Sequence, residues 1–271
     1  MRWASALLLS LAACAPDQSA VWQAYQSDLL RYGYLRLDRA PRDIRYTNQD
    51  IAAAFQRIMF FDEYVLEDGS YKPGLTAREL EKRTEPVTYA LAGASVTDAD
   101  KRHLEEIATR LQRVTGLQIK KVDQDASIHL FIAGSQERKV FAEILARRRA
   151  DSPLIRELRN DLGGNVCIAV PFRPKDGAGD AHYLIFIPAE VKGRLRRACI
   201  EEEFAQAFGP AADFDGARPS IFNDDQEFAL FTEHDAWMFR VLYDARMQPG
   251  MVEAQAMPIV RRILAEIRPE Q

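Results

Sequence analysis

Cys199-Ile-Glu-Glu-Glu-Phe-Ala-Gln-Ala-Phe-Gly209 is the stretch whose reading decides the fold. The spacing predicts the end of a helix running from about Ala189 to Phe208. Gly209-Pro210 stops it, because glycine leaves helical geometry easily and proline cannot continue it. Residues four apart share a helix face and adjacent ones project about 100° apart. Glu202 and Glu203 therefore cannot both face a site with Gln206. Ala212 and Asp213 follow just beyond the turn.

Upstream of that helix, Gly163-Gly164 leads into a strand over Asn165 to Phe172. A turn follows from Lys175 to Asp180, then a strand over His182 to Ile187, so a hairpin is expected to feed the helix. Earlier still, Thr97-Asp98 caps an amphipathic helix with Leu104, Ile107, Leu111 and Val114 on one face and Gly116 at its end. Flanking strands are expected over Val87 to Gly93, Leu117 to Val122 and Ser127 to Ala133, and Thr47 or Asn48 starts a shorter helix. Asp68-Gly69 and Pro73-Gly74 are expected as turns. Helices are expected over Arg138 to Ala150, over Pro153 to Leu162 with Ser152 as cap, and over Glu233 to Leu242 with Thr232 as cap. A last amphipathic helix from about Val252 to Ile267 contains Pro258.

The first residues form no part of this pattern. Arg2 provides a positive start, Ala4 to Ser10 an apolar run, and Leu11-Ala12-Ala13-Cys14 a small-residue cleavage site ending in cysteine. Together they are similar to a bacterial lipoprotein signal. That similarity implies removal of residues 1–13 and membrane attachment through acyl chains on Cys14. An ordinary secretory peptide is the alternative. Ala15 after the cysteine implies the outer membrane, so the expected location is the periplasmic face of the cell envelope. Residues 14–46, polar with scattered aromatics up to about Ala40, are expected to form a tether and N-terminal extension that becomes partly ordered, and residues 47–271 a single domain. With Cys14 assigned to lipid, only Cys167 and Cys199 remain, in a compartment that oxidises thiols. Their pairing is expected, with two separate buried thiols as the alternative.

The chain has 271 residues, 47% of them apolar and 28% charged, with net charge −4. This is ordinary globular composition without a basic footprint for nucleic acid. The arginine-rich runs Arg147 to Arg149 and Arg194 to Arg197 read as solvated helix faces. No stretch beyond the signal approaches the roughly 20 apolar residues of a membrane-spanning helix.

The opening stretch also resembles the zinc helix of metalloproteases of the metzincin type. There H-E-x-x-H sets two imidazoles one turn apart with a general-base glutamate beside the first. Glu202, Glu203 and Gln206 stand in those three places, Gly209 in that of the glycine three residues further on where the chain turns, and Ala212 in that of the third ligand. Ser220-Ile221-Phe222, Leu230-Phe231-Thr232-Glu233-His234-Asp235 and Leu242-Tyr243 extend the outline, with Phe222 near the place of the metzincin methionine. A closer resemblance, from about Val87 to Met251, is to a family of proteobacterial lipoproteins of unknown function, domain-of-unknown-function family 2927. It is carried by the opening stretch, by Ser220 to Asp224 and by Leu242 to Met251.

These resemblances imply an α+β, zincin-like fold: a mixed twisted sheet of four or five strands with packing helices and a short helical C-terminal part. They also imply a scaffold that has lost its metal ligands. No cofactor and no metal are expected, since a carboxylate and an amide are poor zinc donors. A calcium reading would draw on Asp213, Asp215, Asp224 and Asp225. His103, His129, His182 and His234 are scattered, and His234 at a helix start reads as capping geometry or exposure. The expected role is a non-catalytic, lipid-anchored protein binding a peptide or protein partner in the former cleft. The alternative is an atypical hydrolase with Glu203 as general base, beside Glu202 and Gln206. A third possibility for Glu203 and Gln206 is structural, as hydrogen-bond partners for an edge strand or the following loop.

Overall fold

The computed structural model describes residues 18–67, 70–147, 153–173 and 179–269. The expected signal segment, Cys14, the Asp68-Gly69 turn, the Ser152 cap, Arg148, Arg149 and most of the 175–180 turn lie outside them.

Three helices begin with the same local device. In α2 (Asn48–Phe60), α3 (Asp98–Thr115) and α7 (Glu233–Leu242), a threonine hydroxyl accepts the N–H of an aspartate three residues on. The aspartate carboxylate in turn accepts the threonine N–H. This reciprocal cap satisfies two donors that a helix start leaves orphaned. Gly116 ends α3 in the left-handed conformation at φ 75°.

The central sheet contains β3 (Val87–Ala92), β4 (Ile119–Lys121), β5 (Ile128–Ala133), β6 (Ile168–Phe172) and β7 (His182–Pro188), in the spatial order β4-β3-β5-β7-β6. All pairings are parallel except β6 with β7, the expected hairpin. Strand residues alternate between two cores, as a period of two demands. Ile128, Leu130, Ile132, Ile185 and Ile187 enter the larger one, with α3 and α6 (Gly193–Gln206). Val170 and Phe186 enter a smaller one on the opposite face, with Ala142 of α4 (Ser135–Ala146) and Leu154, Ile155 and Leu158 of α5 (Pro153–Arg159). Helices α2, α7 and α8 (Glu253–Ile267) pack together and share the larger core. The protein is thus α+β, with a mixed five-stranded sheet and several helices. No helix of the described residues is long and apolar enough to cross a membrane.

Within the N-terminal extension α1 (Gln18–Arg31) forms, and Leu29 and the fully buried Leu35 join the main core. Arg36 bridges to Phe228 in parallel. A single buried leucine between polar neighbours carries no periodic signal. Pro73-Gly74 is no turn but lies inside β2 (Ser70–Ala77), which pairs with β1 (Phe61–Glu67) in a separate two-stranded ribbon. Proline is tolerated in such a strand where no ladder hydrogen bond needs its N–H. Arg196 is not solvated: it is 4% exposed, donates to Val191 O and Ala189 O at 2.7 Å each, and reaches Asp100 at 3.2 Å. His234 is fully buried, with Tyr46 edge-on at 5.0 Å and neither ring nitrogen hydrogen-bonded. Burial pushes its pKa down to about 4 and keeps it neutral.

Candidate functional site

Helix α6 runs through the middle of the molecule, and nine of its side chains are buried. Its three consecutive glutamates therefore meet three different surroundings. Glu201 is fully buried and ion-paired: Arg39 donates Nη1–H to Oε2 and Nη2–H to Oε1, each at 2.7 Å, and Phe231 donates its backbone N–H at 2.8 Å. Glu202 shares a half-buried face with Gln206. Glu203 is 5% exposed, and its Oε2 has no partner. The structural role in which Glu203 would hold a strand or loop backbone has no support in that geometry.

Gly209 makes the return possible. It sits at φ 144°, and a Cβ there would stand 2.7 Å from Glu81 O and 2.8 Å from Leu242 Cδ2. Only glycine fits so close an approach. The chain then doubles back: Ala211 N–H donates to Ile58 O at 3.0 Å and Asp213 N–H to Glu63 Oε1 at 2.5 Å. This brings Asp213 and Glu63 to the end of α6.

The resulting cluster is electrostatically crowded. Burial pushes Glu203 up to about 8, with the Asp213 charge adding to the effect. Burial likewise pushes Asp213 up to about 8, helped by Glu63 and Asp224, and its Oδ1 is buried without a partner. Glu202 is raised well above the carboxylate range by burial, then by Asp213, Glu203, Asp224 and Glu63. Burial also raises Glu63. Carboxylates packed this way cannot all ionise, so protons are held among them at neutral pH. The sequence singled out Glu202, Glu203, Gln206 and Asp213. Glu63 was missed, because it comes from a strand about 140 residues earlier with no motif around it.

The donors do not fit a zinc ion. Where the metzincin outline places imidazoles, this chain has the Glu202 carboxyl, the Gln206 amide and the buried methyl of Ala212. The fully buried Phe222 stacks on Phe239. Among the described residues no three His, Cys, Asp or Glu side chains are arranged to hold a metal. Of the calcium candidates, Asp225 instead accepts the Glu227 N–H at 2.8 Å within its own turn.

Beyond the turn lies a cavity of about 330 Å³, lined by Ala207, Phe208, Gly209, Arg83, Arg173 and Tyr183 among others. Arg83 is buried and donates Nε–H to Ala207 O at 2.7 Å, and Tyr243 donates its hydroxyl to Phe208 O at 2.8 Å. Edge strand β6 runs into this cavity through Arg173. A disulfide between Cys167 and Cys199 ties the start of β6 to α6.

Fold and site together define an α+β protein with a carboxyl cluster at the end of its central helix. The model of a family described as "Protein of unknown function (DUF2927)" matches residues 48–262, and the chain belongs to that family. No curated protein matches it.

Proposed function

We propose that this chain is a lipid-anchored protein of the cell envelope, held at the periplasmic face, in the outer membrane, through Cys14. Its metzincin-like scaffold is non-catalytic and binds a peptide or protein partner beside α6. The observation that carries this reading is the position of β6, outermost in the strand order of the central sheet, leading into the cavity at the Gly209 turn. An outermost strand can add an extended peptide through backbone groups such as those of Ala169, and an adjoining cavity takes a side chain. The disulfide supports it by fixing that edge relative to the helix. The zincin ancestry rests on the helix, the Gly209 break and the return of Asp213. The replaced ligands argue against a retained zinc enzyme.

The test is site-specific photocrosslinking from Ala169 in β6 of the full chain in its native envelope. One discrete partner, lost when an added side chain fills the cavity at the partly buried lining residue Ala181 (Ala181→Phe), is the expected result. Stoichiometric zinc together with chelator-sensitive peptide cleavage would overturn the reading. Membrane release of Cys14→Ser tests the anchor separately.

A second reading, a hydrolase, is favoured by one observation: the unpartnered Oε2 of Glu203 on a carboxyl that titrates near neutral pH. If activity on peptide or peptidoglycan substrates is found and survives Glu203→Gln, Glu203 is not the base.

A further inference from the structure

On the far side of α6 from the carboxyl cluster's Glu203, five arginines surround one open cleft. Arg39 comes from the N-terminal segment, Arg102, Arg110 and Arg113 from the outer face of α3, and Arg197 from α6. The cleft has a volume of about 490 Å³, within the range of small-ligand sites. Two carboxylates, Glu105 and Glu106, share its lining, and Glu201 and Glu233 pair with Arg39 and Arg110 from outside it, so the five arginines exceed these four carboxylates by one. This excess of positive charge stands on a chain whose net charge is −4.

The arginines divide by what already holds them. Arg39 is clamped on Glu201, Arg110 reaches Glu233 at 3.1 Å, and Arg197 reaches Glu106 at 2.8 Å. These pairs fix three guanidinium groups around the cleft while leaving donors over, since each guanidinium has five. The buried Nε of Arg110 has no partner. Glu105 is drawn aside by Lys121 at 3.3 Å. Arg102 and Arg113 are exposed, and among the described residues no carboxylate pairs with either. They stand eleven residues apart on one helix, three turns, on the same side.

We propose that this cleft binds a phosphate-bearing anion. Guanidinium forks match phosphate oxygens in bidentate geometry. A phosphate group with three free oxygens engages several arginines at once, whereas a lone carboxylate has only two oxygens and satisfies one or two. The site is independent of the peptide-binding reading, because it shares no residue with β6 or the cavity at Gly209.

The experiment is calorimetric titration of the full chain with inorganic pyrophosphate and, separately, with vesicles containing phosphatidic acid, whose phosphomonoester has three free oxygens, or of phosphatidylcholine alone. Saturable pyrophosphate binding supports a soluble phosphate. Preference for phosphatidic acid with no pyrophosphate binding assigns the same chemistry to a lipid headgroup. In either case Arg102→Gln/Arg113→Gln should weaken binding at least about tenfold, with a shallower salt dependence. That pair holds no structural ion pair, so the variant should melt like the parent; Arg113→Lys alone should lose less. Absence of binding to both probes, acetate binding as tight as pyrophosphate, or unchanged affinity in the double variant would each overturn the proposal.

Discussion

Arg39 and Glu201 are joined by two parallel 2.7 Å contacts across 162 residues of sequence, with the glutamate fully buried. The N-terminal segment is thus part of the fold, since it neutralises a charge inside the central helix. Arg39→Ala should cost about 2–3 kcal/mol, below the usual range for breaking a buried pair because the arginine is itself a quarter exposed. Adding Glu201→Gln should restore most of the loss. Equilibrium unfolding in urea measures both, and a loss under about 0.5 kcal/mol, the size of an exposed pair, would show that the contact is decorative.

Stability should fall as pH rises through neutral. Glu203 and Asp213 hold their protons in the folded state up to about 8, but ionise near 4.5 and 3.8 when unfolded. Between those limits the folded state binds more protons, so each carboxyl removes up to about 1.4 kcal/mol per pH unit of increase. His234 works in the opposite direction, but only between its unfolded value of 6.5 and about 4. The window above pH 6.5 therefore isolates the carboxyls. Thermal melting from pH 6.5 to 8 should show the decline, and Glu203→Gln should make it shallower, with Asp213 and Glu202 supplying the remainder. A flat profile in the parent would mean that the cluster is ionised or open to water.

Gly209→Ala should destabilise by about 2–4 kcal/mol, from positive φ and a clash with backbone at Glu81 O. Calorimetric melting reads the cost. Gly116→Ala, also at positive φ but with nothing within 4 Å of the added Cβ, should cost less and serves as the control.

The Cys167–Cys199 bridge closes a 32-residue separation. Cys167→Ser/Cys199→Ser should lower stability by about 3–4 kcal/mol. Thiol titration of the denatured, unreduced chain should find neither cysteine free.

Local chemistry was legible in the chain. Thr47, Thr97 and Thr232 each stand three residues before an aspartate, and each forms the reciprocal cap that this spacing allows. The strands around α3 and the β6–β7 hairpin follow from period-two runs and turn residues. The central helix and its stop at Gly209 were equally plain, and so were the carboxyls on it. What escaped were contacts between distant segments: Leu35 in the core, Pro73 within a strand, Arg196 on Asp100, and Glu63 on Asp213.

The sequence by itself determined which segments become helix or strand, because capping, periodicity and turn chemistry act over a few residues. It also determined that three glutamates stand in a row on that helix and that Gly209-Pro210 ends it. Only the tertiary structure decided what the three adjacent glutamates of α6 become. Burial depth and distant partners, not residue type, set the charge of a carboxyl. Glu201 is clamped by the Arg39 guanidinium, while Glu203 and Asp213, buried with no such partner, hold their protons near neutral pH.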